Sequence, residues 1–241
     1  MQLERKRGFY ERYIKRLLDI ICSLLAIVVF SWLYLIIAAV VKIKMGSPVI
    51  FKQPRPGLIK NGCEQIFDMY KFRSMTDEKD ANGKLLPDEE RLPRFGKMLR
   101  ATSLDELPEA FNILKGDMSV IGPRPQLVRD MVFMDDRTRM RHTARPGLSG
   151  LAQVNGRNAV TWEQKFDWDL KYIERITFLG DLKIVGLTVK KVFGKSESSA
   201  ELDVTDDYGE WLLKVGKVSR QKYDALQVYA RNLIAEHERK N

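Results

Sequence analysis

The longest apolar stretch of the chain lies near its N-terminus. Ile20–Val41 contains 22 residues without a charged side chain and is rich in Leu, Ile and Val. The stretch is longer than the apolar core of a signal peptide, and no small-residue cleavage site follows it. About 20 consecutive apolar residues are enough for a helix to cross a bilayer. The pattern therefore predicts a helix that is embedded in a membrane.

Basic residues flank this apolar stretch on both sides. They are Arg5, Lys6, Arg7, Arg12, Lys15 and Arg16 before it, and Lys42, Lys44, Lys52, Arg55 and Lys60 after it. Since basic flanks favour the cytoplasm, the segment is expected to enter and leave on the same side, with a single-span anchor as the alternative. Ser31 could bend the helix by bonding to a carbonyl of the preceding turn. Lys15, Arg16 and Asp19 are expected to anchor the entry end by pairing with lipid phosphates and with each other.

Short runs of β-forming residues follow the apolar stretch. Val49–Gln53 and Gln65–Phe72 are predicted to be strands around a turn that contains Pro54, Pro56 and Gly57. The remaining sequence favours helices separated by polar loops, so the strands are expected to be a minor part of the fold.

Four helices are predicted after the strands. One begins at Pro93 and another covers Asp181–Phe193, and each has an apolar and a basic face. Such helices suit the lipid headgroup layer, although packing on the core with a solvated charged face is the alternative. A third is expected to start at Thr161, with Gln164 completing a capping box. Ser219–His237 predicts a tail helix whose expected role is packing or self-association.

These elements predict an α+β fold. We expect a small, mainly helical cytosolic domain with short strands, an N-terminal re-entrant membrane helix and interfacial amphipathic helices. The expected divisions are 1–44 for the membrane-embedded region, 45–194 for the central domain and 195–241 for a linker and helical tail. The linker is placed at Lys195–Asp203 because that stretch is rich in Ser and Glu.

The net charge indicates which partners the protein could bind, and the spacing of its cysteines and histidines argues against disulfides and metal sites. The net charge of +9 predicts partners that are anionic, such as nucleic acid, anionic lipid or phosphorylated substrates. Cys22 and Cys63 have neither disulfide-framework nor metal-ligand spacing, which favours a reducing compartment. His142 and His237 are far apart in sequence, so a zinc site is not expected. Phosphate-loop, dinucleotide-binding and Ser/His/Asp motifs are absent from the sequence.

A pair of acidic residues is the first candidate for chemistry. Ser103 and Glu106 fit a capping box, which would place Asp105 and Glu106 at the start of a helix. Free N–H groups and the helix dipole favour ionised carboxylates there. An ionised carboxylate can act as a nucleophile or bind magnesium. Stabilisation of the helix start by these acidic residues is the structural alternative.

Arginine-bearing loops are the second candidate. Arg124 lies between Pro123 and Pro125, which stiffen the backbone on both sides, and a fixed guanidinium suits bidentate contact with phosphate. Arg145–Gly150 and Gln153–Asn158 add glycine turns, which allow the backbone to approach a phosphate closely.

An ordered set of motifs resembles one protein family. The set consists of Lys71-Phe72-Arg73-Ser74-Met75, Leu104-Asp105-Glu106-Leu107, Phe111-Asn112-Ile113-Leu114-Lys115-Gly116-Asp117-Met118-Ser119, Gly122-Pro123-Arg124-Pro125, Arg145-Pro146-Gly147 and Asn155-Gly156-Arg157-Asn158. It resembles the bacterial sugar transferases, the monotopic polyprenyl-phosphate phosphoglycosyl transferases. The resemblance covers roughly Tyr13 to Phe193. It is greatest to the small members without extra membrane spans, such as those that use UDP-diacetylbacillosamine.

The resemblance implies a two-step reaction and a set of site residues. Asp105 would attack the β-phosphate of a UDP-sugar and release UMP, and polyprenyl phosphate would then accept the phosphosugar. Glu106 would activate the lipid phosphate or organise the metal. Magnesium would be held by Asp105 and Asp181. The phosphate-binding residues would be Arg100, Arg124 and Arg157.

The resemblance also implies partners and a location. The partners are a UDP-sugar, polyprenyl (undecaprenyl) phosphate and membrane lipids, without nucleic acid, and a homodimer is compatible with the sequence. The location is the bacterial inner membrane, with the catalytic domain facing the cytoplasm. Two positions depart from the family pattern: Ser31-Trp32 stands where Ser-Pro is frequent, and Leu151 stands where Trp is frequent.

The sequence leaves open two functions that are not enzymatic. The net charge of +9 would suit a membrane-tethered nucleic-acid binder, although no nucleic-acid motif accompanies it. An inactive scaffold of a glycan-assembly complex is the other alternative, and the intact Asp105–Glu106 pair argues against it.

Overall fold

The structure is a computed structural model that describes residues 5–155, 161–193 and 207–240. The N-terminal half contains a π-helical turn Tyr10–Ile14, α1 Lys15–Val29, α2 Ser31–Met45, β1 Ile50–Lys60, β2 Cys63–Phe72, α3 Asp88–Arg91, α4 Arg94–Ala101, a 3₁₀ turn Leu104–Glu106 and α5 Glu109–Lys115. The C-terminal half contains β3 Ser119–Ile121, α6 Val128–Met131, α7 Asp136–Arg139, a 3₁₀ turn Met140–Thr143, β4 Gly147–Ser149, α8 Leu151–Asn155, α9 Trp162–Glu174, α10 Phe178–Phe193, α11 Tyr208–Lys214 and α12 Arg220–Lys240.

The two strand pairs are small, as expected for the predicted α+β class. β1 and β2 form an antiparallel hairpin, and β3 pairs in parallel with β4. The mixture of many helices with short strands confirms the predicted class in its general form. The tail also agrees with its predicted role, because Ala230 of α12 packs against Val128 and Met131 of α6. The predicted linker Lys195–Asp203 lies outside the described residues.

The predicted turn between the first two strands is wrong. β1 continues through Pro54 and Pro56, and the chain reverses instead at Asn61-Gly62, where both residues have positive φ. Asn-Gly is the favoured sequence of a two-residue hairpin turn. The prolines are tolerated because both strands of an isolated hairpin have an unpaired edge, where a missing N–H costs no ladder hydrogen bond.

The apolar segment forms two helices and not one. α1 and α2 meet at Phe30, whose backbone angles leave the helical region, and their axes are bent by 63°. Within the described residues, no single helix is long and apolar enough to cross a membrane, whereas the bent pair meets that condition together. The bend is next to Ser31, as predicted. Among the described residues, the Ser31 hydroxyl does not make the predicted hydrogen bond, and the bend coincides with the non-helical backbone angles of Phe30.

The N-terminal part of α1 is fixed to the rest of the protein by buried polar contacts. Lys15 Nζ lies 2.6 Å from Asp181 Oδ2, and both residues are buried. Removing one member of a buried pair leaves an uncompensated charge and costs about 3–5 kcal/mol. Arg16 donates to the carbonyl oxygens of Ile113 and Leu114, at 2.6 and 2.8 Å. These carbonyls belong to the last turn of α5, where the regular helical hydrogen bonds end, and the Ile113 carbonyl accepts as well from the Gly116 amide at the helix cap.

Asp19 completes this connection. Its Oδ1 accepts hydrogen bonds from the Ser119 hydroxyl and the Val120 amide, each at 2.9 Å. The pairing of Lys15, Arg16 and Asp19 with lipid phosphates stays a prediction, whereas the structure shows that all three side chains bind groups inside the protein. They bind β3, α5 and Asp181 because these groups supply partners at fixed positions inside the protein.

α2 returns from the bend to the region that carries the acidic pair. Ile37 and Val41 are buried with Phe72 and Leu99 in one apolar cluster. The Tyr34 hydroxyl donates to the carbonyl oxygen of Leu107 at 2.6 Å. The residue that follows Glu106 is thus held directly by the bent helix pair.

The other predicted helices are present. α4 begins at Arg94, directly after Pro93, and Thr161 caps α9 in the predicted capping box with Gln164. α10 begins at Phe178, earlier than predicted, and buries Ile184 while Leu182 and Val189 stay exposed. The tail helix begins within one residue of its predicted start.

Candidate active site

A cavity of about 550 Å³ lies beside the acidic pair. Its lining comes from β1, β2 and the loop that follows it, α3, α4, the 3₁₀ turn 104–106 with the residue before it, and the loop after β3. The lining residues are Phe51, Gln53, Arg55, Lys71, Phe72, Arg73, Ser74, Met75, Asp77, Asp88, Arg91, Arg100, Ser103, Asp105, Glu106 and Arg124. Six basic side chains outnumber four acidic ones in this lining, which suits a phosphorylated ligand.

The acidic pair lies on a 3₁₀ turn and not on the first turn of an α-helix. Asp105 and Glu106 belong to the turn Leu104–Glu106, and α5 starts only after Pro108. The predicted capping box is wrong, because the Ser103 side chain makes no capping hydrogen bond and its backbone is left-handed, with φ of 55°. The tight turn presents the two neighbouring carboxylates to the cavity.

Glu106 is fixed by two cations. Its Oε1 accepts hydrogen bonds from Lys71 Nζ and from an Arg124 terminal nitrogen, both at 2.7 Å. Burial favours the protonated form, but the charges of Arg124 and Lys71 outweigh it and lower the pKa of Glu106 below its ordinary value. Glu106 is therefore a permanent anion that holds both cations at the edge of the cavity.

Glu109 is a third carboxylate beside this pair. It is 1% exposed, and its Oε1 lies 3.4 Å from Lys71 Nζ without a well-formed hydrogen bond. Burial and the negative charge of Glu106 raise the pKa of Glu109. Neither Lys71 nor Glu109 was predicted as a member of the site. Lys71 stands in a quoted motif, and Glu109 follows Glu106 by three residues, a spacing that can place two side chains together.

Asp105 differs from both glutamates. It is 7% exposed, and within the described residues no hydrogen bond from another residue to its carboxylate is recorded. Burial raises its pKa above the ordinary value, while the charge of Lys71 opposes that shift. A carboxylate that faces a cavity without a fixed partner is available to a ligand.

The predicted phosphate-binding arginines have different surroundings. Arg100 lines the cavity and donates to the Ser74 hydroxyl at 3.0 Å, and Arg124 lines it beside Glu106. Arg157 lies outside the described residues. Arg73 and Arg91, which were not predicted, also line the cavity, although both are engaged with Asp77.

The position of Arg124 depends on a second arginine. A terminal nitrogen of Arg141 donates to the Arg124 carbonyl oxygen at 2.6 Å and to Asp169 Oδ2 at the same distance. Arg141 and Asp169 are buried. The neighbouring Pro125 carbonyl accepts from Arg55 at 3.0 Å. The loop that carries Arg124 is thus held by donors from two sides, in addition to the stiffness of its prolines.

The proposed role of Asp181 in metal binding is corrected by its contacts. Asp181 accepts hydrogen bonds from Tyr10, Lys15 and Tyr172, and it does not line the cavity. Among the described residues there is no group of three His, Cys, Asp or Glu side chains that could hold a metal ion. Asp105 and Glu106 fit magnesium only together with ligand oxygens, which is how proteins commonly bind this ion.

Comparison with known proteins places this arrangement in a family. Residues 10–195 match the model of the bacterial sugar transferase family. An uncharacterized sugar transferase of Bacillus subtilis, EpsL, is 48% identical over 179 residues, which cover 74% of this chain and 87% of the relative. The exopolysaccharide production protein ExoY of Sinorhizobium fredii is 33% identical over 191 residues, with 74% and 84% covered.

The name of a longer relative states a donor and an acceptor. The UDP-glucose:undecaprenyl-phosphate glucose-1-phosphate transferase of Klebsiella pneumoniae is 41% identical over 189 residues, which cover 74% of this chain and 40% of that enzyme. The chain therefore spans less than half the length of that relative. The matches confirm the family that the sequence motifs indicated and, with it, the prediction of an enzyme. The chain belongs to the bacterial sugar transferase family.

Proposed function

We propose that the protein transfers a sugar phosphate from a UDP-sugar to undecaprenyl phosphate through a covalent intermediate on Asp105. The observation that carries the proposal is the Asp105 carboxylate, which faces a basic cavity without a fixed partner. The Klebsiella pneumoniae relative is named a UDP-glucose:undecaprenyl-phosphate glucose-1-phosphate transferase, and a relative from Salmonella typhimurium is named an undecaprenyl-phosphate galactose phosphotransferase. These names support the same class of donor and acceptor for this chain.

In the first half-reaction an Asp105 oxygen attacks the β-phosphorus of the donor. The new bond joins that oxygen to phosphorus, and the bond to the bridging oxygen breaks, so UMP leaves with the electron pair. Arg124 and Lys71, held by Glu106, face the negative charge that develops on the phosphoryl oxygens. Arg100 offers a further cation at the cavity wall.

In the second half-reaction a phosphate oxygen of the lipid attacks the phosphosugar. The bond between phosphorus and Asp105 breaks, the carboxylate is restored, and the lipid carries a diphosphosugar. Glu106 keeps Lys71 and Arg124 in place for the incoming lipid phosphate. Glu109, whose pKa is raised, holds a proton beside them more readily than an ordinary glutamate.

Magnesium belongs to the proposal because of the charges involved. A diphosphate and two carboxylates repel each other in one cavity, and a bound magnesium ion would neutralise part of the diphosphate charge. Asp105 and Glu106 would hold the ion together with donor oxygens.

The bent helix pair is proposed to be re-entrant. α1 and α2 expose many large apolar side chains, and basic residues lie at both of their outer ends. The exposed apolar residues of α10, Leu182 and Val189, suit contact with the same membrane face. In this proposal the catalytic domain lies on the cytoplasmic side of the bacterial inner membrane, because the basic flanks favour the cytoplasm. A homodimer is compatible with it.

Release of UMP tests the reaction. The purified protein is incubated with polyprenyl phosphate, magnesium and, in turn, UDP-glucose, UDP-galactose, UDP-N-acetylgalactosamine and UDP-diacetylbacillosamine. We expect turnover with at least one donor, loss of turnover on chelation, and recovery when magnesium is added back. Asp105→Asn should lower kcat by at least about 10³-fold, because the nucleophile is lost.

Asp167→Asn is the matched control for this measurement, since Asp167 is an exposed carboxylate paired with Arg137 outside the cavity. Its kcat should equal that of the wild type. Absence of UMP release with every donor would favour an inactive scaffold, and full turnover in excess chelator would exclude the magnesium requirement.

The charge of Lys71 predicts a change in the pH profile. Asp105 must be ionised to attack, so activity falls as the pH decreases through its raised pKa. Lys71 lowers the pKa of Asp105 and of Glu106, and Lys71→Met therefore raises both. The acid limb of kcat/KM should move to higher pH by about 1 unit or more, besides an overall loss of rate. Lys115→Met removes an exposed lysine of α5 and should leave the acid limb in place. An unchanged acid limb in Lys71→Met would contradict the proposed electrostatics.

The re-entrant arrangement predicts that both helix ends are on one side. Gly8 precedes the helix pair and Lys44 lies in the last turn of α2; both are exposed, and a side chain added at Gly8 meets no atom within 4 Å. Gly8→Cys and Lys44→Cys, each in a chain without Cys22 and Cys63, should resist an impermeant thiol reagent in intact cells and react after lysis. Labelling of Arg137→Cys shows on which side of the membrane the catalytic domain lies. Labelling of Gly8→Cys from outside would mean that the segment spans the membrane.

A further inference from the structure

A second basic cavity lies at the start of the embedded helix pair, apart from the active-site cavity. Its volume is about 430 Å³, and the two cavities have no lining residue in common. Six of its seven lining residues are cations, namely Arg5, Lys6, Arg7, Arg12, Arg16 and Arg145. Glu11 is the seventh, so the formal charge of the lining is six minus one, or +5.

The protein itself neutralises little of this charge. Glu11 pairs with Arg5 and lies 4.0 Å from Arg7. Arg16 and Arg145 donate to backbone carbonyls at the end of α5, which carry no full charge. Within the described residues, no hydrogen bond or ion pair is recorded for the side chains of Lys6 and Arg12. Burial, together with the positive charges of Arg16 and Arg7, lowers the pKa of Arg145, in agreement with mutual repulsion. An anion in this cavity would relieve that repulsion.

An apolar stripe lies next to the cavity on the same helical segment. Phe9, Tyr13 and Leu17 are 73%, 58% and 57% exposed, and their spacing of four residues aligns them along one face. Arg12 and Arg16 line the cavity from the adjacent face. A ligand with an anionic head and hydrocarbon chains could therefore contact both features at once.

We propose that this cavity binds the phosphate headgroup of an anionic membrane glycerophospholipid, with its acyl chains along Phe9, Tyr13 and Leu17. Guanidinium groups suit phosphate because they donate in a bidentate geometry. The polyprenyl acceptor has to reach Asp105, and Asp105 lines the other cavity. The inference rests on the membrane location in the proposed function and adds a lipid site that is separate from the reaction.

Lipid binding is measured by native mass spectrometry of the full chain from detergent micelles. The probes are phosphatidylglycerol and phosphatidylcholine with the same acyl chains. The wild type should bind phosphatidylglycerol at least about tenfold more tightly, because phosphatidylcholine adds a choline cation that the positively charged lining repels. Lys6→Gln/Arg12→Gln should lose this preference, and these substitutions remove no recorded contact of the described residues. Arg137→Gln/Lys240→Gln removes the same charge at other exposed positions and should keep the preference.

Competition identifies the source of the phosphate. Inorganic phosphate at the concentration of the lipid should not displace phosphatidylglycerol, since it lacks the chains, and polyprenyl phosphate should not bind there in preference to it. The inference is overturned if the wild type shows no preference, if Lys6→Gln/Arg12→Gln keeps it, or if either competitor displaces the lipid one for one.

Measuring UMP release in the same preparations distinguishes a failure of the lipid site from a failure of the proposed reaction. Asp105→Asn should keep the phosphatidylglycerol preference although it releases no UMP. A wild-type protein that prefers phosphatidylglycerol but releases no UMP would contradict the proposed reaction alone.

Discussion

The fixed connection between the bent helix pair and the rest of the protein is the constraint on which the structure depends. Lys15, Arg16 and Asp19 attach the first turns of α1 to Asp181, α5 and β3. The 63° bend then brings α2 back, and Tyr34 binds the Leu107 carbonyl directly after the acidic pair. Since buried polar contacts tolerate little displacement, the carboxylates are held at a fixed position relative to the apolar helices. A lipid phosphate and a soluble donor could meet at such a position.

Three neighbouring carboxylates have different electrostatic roles in the cavity. Glu106 is ionised because Arg124 and Lys71 bind it, and its charge in turn raises the pKa of Glu109. Asp105 is buried, and none of the described residues donates a hydrogen bond to its carboxylate. It is therefore the carboxylate that is open to a ligand. The same two cations therefore serve two purposes: they fix the permanent anion and face the phosphate that Asp105 would attack.

Local signals in the sequence predicted much of the fold. The apolar stretch, the proline before α4 and the capping box at Thr161 each act within a few residues, and all three are found. The predicted hairpin turn is wrong because an isolated hairpin tolerates Pro54 and Pro56 within a strand, and the chain reverses at Asn61-Gly62 instead. Contacts between distant residues could not be read from the pattern. The contact of Lys15 with Asp181 and that of Arg141 with the Arg124 carbonyl depend on how separate elements pack against each other. The periodicity of the sequence does not predict that packing.

The covalent intermediate on Asp105 is the central claim, and intact-protein mass spectrometry tests it most directly. The protein is incubated with its UDP-sugar donor and magnesium in the absence of polyprenyl phosphate, so the second half-reaction cannot proceed. The account predicts a mass increase of one sugar phosphate on the wild-type chain, removal of that increase when polyprenyl phosphate is added, and no increase in Asp105→Asn. An unmodified wild-type chain that nevertheless releases UMP, or an adduct that persists in Asp105→Asn, would contradict it.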